Sequence, residues 1–415
     1  MKRRLSVLSF LVVACLLLAA CPPPPAAQPA AGGSTTTTAS GSPEVIHMYS
    51  SLPLTGSSAG QNITVVNSIN LALEQQTKDG VICDGKFKIE YTSLDDATAA
   101  AGKWDAAKEQ ENANKAVADP DAMVYIGTFN SGAARVSIPI LNQAGLAMIS
   151  PANTAVDLTK GEDTAKYYPT GKRNYMRVVA ADDFQGAFAA KWANKMGSKN
   201  VYILDDTEVY GKGVADQFQK NAETLGLKVA GRDGIDGKAA DYKALATKIA
   251  GTNPDMIYFG GITQNNAGQV LKDIRAAGIK APFMGPDGIL EKAFIDAAGA
   301  DIAEGTYATV AGAPFEKLPE KGKKFYSDYE AKYNGKPEAY SIYGYESASV
   351  AIAALSKVCK KDRAAVTDAM LTTKDFEGAL GTWSFDANGD TSLIAMVGNQ
   401  VTKGEWAEVP ADQLP

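Results

Sequence analysis

Residues 54 to 60 read LTGSSAG, and within them Gly56-Ser57-Ser58-Ala59-Gly60 has the G-x-S-x-G spacing of a hydrolase nucleophile elbow, directly after the apolar run VIHMYSSL. A nucleophilic serine needs a general base, most often histidine. The chain has one histidine, His47, and it precedes Ser58 in the predicted first strand. An α/β-hydrolase places its acid and then its histidine later in the chain, so only an unusual lysine or carboxylate base would leave hydrolysis open. Metal chemistry is no better supplied, because one histidine and scattered cysteines offer no C-x-x-C or H-E-x-x-H spacing. Neither a G-x-x-x-x-G-K-[ST] nor a G-x-G-x-x-G loop occurs, so no metal and no cofactor is expected. The glycines of LTGSSAG read better as letting backbone N–H groups approach a ligand at the mouth of a strand, with Ser58 near that ligand.

The elements that would position such groups alternate through the body. Strand-like runs are EVIHMYSSL, KFKIEYTSL, AMVYIGT and LAMISPA, then YMRVVA, NVYILDD, LKVAGRD, DMIYFGG and APFMGPD. Between them lie amphipathic helical stretches such as AGKWDAAKEQENANKAVAD, FQGAFAAKWANKMG, GVADQFQKNAETLG and AGQVLKDIRAAG, several closed by a glycine suited to a C-cap. This β-α-β rhythm predicts an α/β fold of doubly wound parallel sheets. A body too long for one core suggests two lobes, with the second set of units beginning at YMRVVAADD. Ligands of such sheets sit beyond the carboxyl ends of strands, so the informative segments are LTGSSAG, TFNSG, SPANT, DDTEVYG, GGITQ and GPDG.

The chain opens MKRRLSVLSFLVVACLLLAAC, three basic residues and a short apolar run, which predicts a signal peptide over residues 1–20. Its end, LAAC, has the small residues and cysteine of a lipobox, so Cys21 is the expected lipidation site. Residues 21–43 then form a Pro/Ala/Thr-rich tether without charge, spanning roughly 25 Å as a coil. Nothing downstream is apolar for long enough to span a bilayer. A net charge of −6 with interspersed signs argues against nucleic acid as a partner. Cys83 follows the first helix and Cys359 ends the helix SIYGYESASVAIAALSKV; a disulfide joining these helix ends is expected, two buried thiols being the alternative.

The strand-end segments, in this order and behind a lipobox, resemble the amino-acid-binding receptors of ABC importers, closest to the leucine/isoleucine/valine-binding type of class I periplasmic binding protein. SPANT at 151, VYGKG, YFGG and FMGPDG carry the resemblance as a set. It implies two lobes joined by a multi-strand hinge, residues 44–176 with 312–382 and residues 177–311 with 383–415, crossing near 177–180, 307–311 and 383–387. It implies a small amino acid, branched-chain or otherwise aliphatic, as ligand and a membrane permease as partner, with membrane contact through the lipid anchor alone. A same-fold sensor of amides or other small molecules is the alternative.

Residue by residue, the resemblance assigns the ligand carboxylate to Ser131 in TFNSG, the ammonium to the Ala152 carbonyl, and either end to Thr154. Asp287 in FMGPDG matches an acidic residue that closes over the ammonium from the second lobe, and Tyr210 and Tyr340 match pocket aromatics. Read without the resemblance, Ser131 can be a helix cap, Asp287 a turn residue, and both tyrosines core. Three features depart from the family pattern. Ile262 stands where an aromatic is common, Asp287 is one methylene shorter than glutamate, and GEDTAKYYPTGKRN at 161–174 is an apparent insertion expected to edge the cleft.

Overall fold

The computed structural model describes residues 42–415, which form one compact unit. The leader, Cys21 and nearly all of the tether lie outside the described residues. Two large sheets divide the body. The first contains β1 (Glu44–Leu52), β2 (Val81–Ile82), β3 (Phe87–Asp95), β4 (Ala122–Gly127), β5 (Ala147–Ser150) and β6 (Tyr175–Arg177), in the order β2-β3-β1-β4-β5-β6. All pairs are parallel except β2 with β3. The second sheet begins with β7 (Asn200–Asp205), β8 (Lys228–Gly234), β9 (Met256–Gly260), β10 (Phe283–Gly285) and β11 (Tyr307–Ala311). A separate hairpin, β12 (Phe376–Gly378) and β13 (Gly381–Trp383), precedes the antiparallel edge strands β14 (Met396–Thr402) and β15 (Glu405–Glu408) of the second sheet, whose order is β15-β14-β11-β10-β9-β7-β8.

Every residue of β4, β5 and β9 is buried, as a parallel strand covered by helices on both faces requires. Around the first sheet lie α1 (Ala59–Gln76), α2 (Ala106–Ala118) and α3 (Ser131–Gln143). The second carries α4 (Asp182–Lys195), α5 (Val209–Thr224), α6 (Lys243–Gly251), α7 (Ala267–Ala276), α8 (Lys292–Ala298) and α9 (Ala300–Ala303). The chain then returns, and α10 (Glu320–Tyr333), α11 (Ser341–Val358) and α12 (Arg363–Leu371) join the core of the first sheet through Phe325, Ala351, Leu355 and Val366, packed with Val65, Ile69 and Val124. No helix among the described residues is long and apolar enough to cross a membrane.

Buried polar groups tie these pieces together. Glu346 of α11 accepts from Trp383 Nε1 (2.6 Å) and Ala379 N (2.7 Å), which docks the β12–β13 hairpin. At the crossover after β6, the fully buried Arg177 pairs with Asp390 (2.7 Å) and donates to Thr159 Oγ1 (2.6 Å) and the carbonyl of Ala155 (2.8 Å). Cys83 and Cys359 are joined in a disulfide between residues 276 apart.

Three expectations differ from the structure. Tyr175–Arg177 does not start the second set of units; it pairs with β5 as the last strand of the first sheet, and the crossing follows it. The helix expected from Ala101 begins at Ala106, because Asp105 takes the N-cap and its side chain accepts from Ala107 N and Lys108 N, both at 3.0 Å. The segment 161–174 does not edge the cleft. Tyr167 and Tyr168 are buried against Leu158 and Tyr175, and the Asn142 side chain near the C-terminal end of α3 donates to the Lys172 carbonyl at 2.7 Å.

Candidate functional site

The carboxyl ends of β4 and β5 face those of β9 and β10. On the first wall, Ser131 opens α3, whose N-cap residue Asn130 makes no side-chain cap, so the first N–H groups of the helix keep their partial positive charge for a ligand. Ser131 Oγ accepts the Ala155 N–H (3.2 Å), which orients the hydroxyl and leaves its own hydrogen free to donate. Ala152 N donates to Ser150 Oγ (3.1 Å), and the Asn153 amide donates to the Phe129 carbonyl (3.0 Å), so the SPANT turn is locked to the loop before α3.

The second wall is a phenol–carboxylate cluster. Tyr210, in the first turn of α5, donates to Asp287 Oδ1 (2.8 Å) and accepts the Gly288 N–H (3.1 Å). Only glycine fits at 288, because a Cβ would stand 2.5 Å from the Gly261 carbonyl oxygen and 2.8 Å from the Tyr210 ring. Ile262 packs on Tyr210 and Val214, its N–H held by Asp206 Oδ2 at 3.0 Å. Tyr340, from the first lobe, closes the ring by donating to Asp287 Oδ2 (2.6 Å), its own ring edge-on to Phe129 at 5.2 Å. Ser131, Ala152, Tyr210, Ile262, Asp287 and Tyr340 thus surround one cavity of ≈ 20 Å³, room for about a single water.

One residue that sequence reasoning missed completes the electrostatics. Asp182, the first residue of α4, is fully buried, and its N–H donates to the Thr154 carbonyl at 2.8 Å. Neither carboxylate oxygen of Asp182 nor the Thr154 hydroxyl makes a hydrogen bond of normal geometry. Burial, and then the charge of Asp287, push the Asp182 pKa well above the ordinary carboxylate range; burial also raises that of Asp287 against the opposing hydrogen bonds from Tyr340 and Tyr210. The nearby cations are engaged elsewhere, Lys160 with Asp183 and Asp390, Arg177 with Asp390. Asp287 therefore stands across the cavity from the positive end of α3, and Asp182 lies behind the cavity wall beside Thr154, with no cation paired to either acid among the described residues. The pattern AADDFQG held a faint signal, since acids in the first turn of a helix normally complement its dipole in solvent. Only burial separates Asp182 from the half-exposed Asp183.

The remaining candidate, Ser58, is buried before α1, where its carbonyl accepts Asn62 N (3.1 Å) and Asn62 Nδ2 (3.0 Å). Neither it nor Thr154 is among the residues around the cavity. The glycines of LTGSSAG also serve differently from the reading above. A Cβ on Gly56 would lie 2.1 Å from the Gly102 carbonyl oxygen, so that glycine admits a neighbouring loop, and Gly60 faces open space. His47, near the amino end of β1, is paired with Asp119 (2.5 Å), whereas Ser58 follows that strand's carboxyl end. A larger groove of ≈ 720 Å³ lies on the outer face between α1, α10 and α11. Its polar groups satisfy one another, Gln75 and Lys324 both on Asp328 and Gln76 on Ser349, so nothing in it converges on a ligand.

Facing α/β lobes with helix N–H donors on one side of a small cavity and the buried acid Asp287 on the other define a receptor for a small solute. The chain belongs to the periplasmic binding protein family, whose model matches residues 50–404. It is similar to a Leu/Ile/Val-binding protein homolog 2 of Brucella abortus, at 30% identity over 354 residues, 85% of this chain and 89% of that protein. It is also similar to a leucine-, isoleucine-, valine-, threonine- and alanine-binding protein of Pseudomonas aeruginosa, at 30% identity over 77% of this chain and 80% of that one. Among solved structures, the branched-chain amino acid transporter substrate-binding protein of Streptococcus pneumoniae in complex with isoleucine superposes with a TM-score of 0.75 at 25% identity, covering 88% of this chain and all of that one. Membership in this family places the chain's work outside the cytoplasm.

Proposed function

We propose that this protein captures a branched-chain or other small aliphatic amino acid between its two lobes and delivers it to the permease of an ABC importer, acting as a receptor and not as an enzyme. The observation that carries the reading is the buried acid Asp287 facing Ser131 across the cavity at the amino end of α3, with a second buried acid, Asp182, behind the wall beside Thr154. An α-amino acid supplies the charges this cavity lacks. Its carboxylate meets the Ser131 hydroxyl and the first N–H groups of α3, and its ammonium meets Asp287, Asp182 and the Ala152 carbonyl. Thr154, beside Asp182, turns its unpartnered hydroxyl to the same end. Tyr210, Ile262 and Tyr340 wall the side chain, and an aliphatic wall at Ile262 suits an aliphatic ligand. The names of the relatives, and the isoleucine bound to one of them, support the same class.

A cavity of ≈ 20 Å³ cannot hold such a ligand, so binding proceeds by separation and reclosure. The ligand docks on Ser131, Ala152 and Thr154 while the lobes are apart, and the second lobe then brings Tyr210 and Asp287 across. The ammonium takes up charge that Tyr340 and Tyr210 alone now shield. The closed form is what a permease would distinguish. Residues 1–20 act as a signal peptide, and lipidated Cys21 with the following tether holds the body to the outer face of the cell membrane. Lobe 1 is assigned residues 44–176 and 312–382, and lobe 2 residues 177–311 and 383–415.

The test is isothermal titration of residues 42–415, unfolded and refolded to remove carried-over ligand, against the proteinogenic amino acids. One-to-one binding of leucine, isoleucine or valine with micromolar affinity, about −8 kcal/mol, is expected. A folded protein that binds none of them would remove the amino acid from the reading and Asp287 from its role.

A further inference from the structure

The segment between β3 and α2 is a strap that crosses from the first lobe to the second. It closes on itself through an antiparallel bridge of Ala97 with Trp104 and through Gly102 N to the Thr98 carbonyl at 2.8 Å. Two glycines seat it on the first lobe. Gly56, at φ +94, passes so close beneath the Gly102 carbonyl that no side chain fits. Gly132, directly after Ser131, lies under the Trp104 ring, where a Cβ would stand 2.5 Å from Cζ2.

From that seat the strap reaches the other lobe. Lys103 forms an ion pair with Glu208, which precedes α5, and donates to Asn265 Oδ1 at 2.7 Å. Trp104 Nε1 donates to the second oxygen of Glu208 at 3.1 Å. The receiving groups are themselves held by one buried acid, Asp206. Its Oδ1 accepts Glu208 N (3.1 Å), and its Oδ2 accepts Asn265 Nδ2 (2.8 Å) and the N–H of the cavity residue Ile262 (3.0 Å). None of Lys103, Trp104, Glu208 or Asn265 lines the cavity. All of their mutual bonds run between lobes, so separating the lobes breaks every one.

We infer that Lys103 and Trp104 form a closure latch that sets how long a ligand is retained without touching it. The inference rests on the clamp reading above. Because the latch exists only in the closed form, it adds to the closed population and to nothing else. It acts on dissociation, since a ligand leaves only after the lobes part, whereas docking on the open first lobe precedes latch formation. Seating Trp104 on Gly132 also couples the latch to the helix start that holds Ser131, and Asp206 couples it to Ile262. Lys103 and Trp104 are therefore positioning residues.

The test compares the full chain in detergent with its Lys103→Met, Trp104→Phe and Glu208→Gln variants, using leucine as probe in stopped-flow and titration. Spin labels on Lys115→Cys and Lys220→Cys, both exposed and on opposite lobes, report the closed fraction directly. Each variant is expected to raise the dissociation rate about tenfold or more, leave the association rate within about twofold, and leave the ligand-free melting temperature unchanged. Lys103→Arg should retain the slow dissociation. Unchanged dissociation in all three variants would overturn the latch, as would an equal loss of ligand-free stability that accounts for the effect. If the unmodified protein does not bind leucine, the amino-acid reading has failed by itself; the latch is then judged by the spin-label distances, which should lengthen in Glu208→Gln and would refute it by staying the same.

Discussion

Replacing Asp182 by asparagine should move stability and affinity in opposite directions. In the ligand-free protein the Asp182 carboxylate is fully buried, makes no hydrogen bond of normal geometry on either oxygen and feels the charge of a second acid, Asp287. An unpaired buried polar group costs about 1–3 kcal/mol, and a charged one more. Asparagine keeps the shape and removes the charge, so the ligand-free protein should gain about 1–2 kcal/mol at pH 7. The same change removes one charge-assisted contact to the ligand ammonium, a loss of about 1.5–3 kcal/mol, or roughly 10- to 150-fold in Kd. Chemical denaturation without ligand gives the first quantity and isothermal titration the second. A variant that is less stable without ligand, or that binds with unchanged affinity, would refute the placement of an uncompensated acid at the ammonium end.

Other expectations follow from the same structure. Because Asp182 and Asp287 have raised pKa values and the ammonium needs their ionised forms, binding should weaken as pH falls from 8 to 5 and should release protons, measured by titration in buffers of different ionisation enthalpy. Stability of the ligand-free protein should run the other way. Burial lifts Glu109 and Glu346 to about 7, so the folded state holds protons that the unfolded chain gives up near the ordinary glutamate value of 4.5. Their contribution is present below pH 4.5 and lost as pH rises through 7, so melting should be higher at pH 5 than at pH 8, and Glu109→Gln should flatten that slope. Asp390→Asn would leave Arg177 buried without its anion and should cost about 3–5 kcal/mol in denaturant unfolding. Thr154→Ala should weaken binding by about 1–3 kcal/mol with the fold intact, read by titration and circular dichroism. The Cys83–Cys359 bond closes a long loop, so Cys83→Ser should lower stability by about 3–5 kcal/mol, and unfolded protein without reductant should show no reactive thiol at either position.

Nine strands were legible from Glu44 to Gly285, most of them because buried parallel strands are short apolar runs, while β3 and β8 are only partly buried and were read from their β-rich composition. Strands β2, β11 and β12 to β15 were not among them: β2 has two residues, β11 is a buried run that was passed over as a strand, and β12 to β15 are antiparallel and mixed in polarity. The strand-end segments TFNSG, SPANT and FMGPDG were readable as places where a ligand would sit, while the individual residues within them were assigned through the family resemblance. Asp182 was hidden because an acid in the first turn of a helix is ordinary, and nothing local distinguishes it from Asp183. AGKW looked like the start of a helix because its composition suits one. Asp105 caps the helix one residue later, and the freed residues fold back over Gly56 and Gly132.

The sequence by itself pointed to an α/β protein, offered no histidine-based hydrolase order and no C-x-x-C or H-E-x-x-H spacing, and located the segments that end the strands. Those are local properties of periodicity, composition and residue chemistry. Tertiary structure decided which of the hydroxyls and acids lose their solvent, that Ser58 stays out of the cavity while Ser131 enters it, and that Lys103 meets a glutamate 105 positions away. Burial and long-range pairing depend on how two sheets are set against each other, and no short window of sequence contains that information.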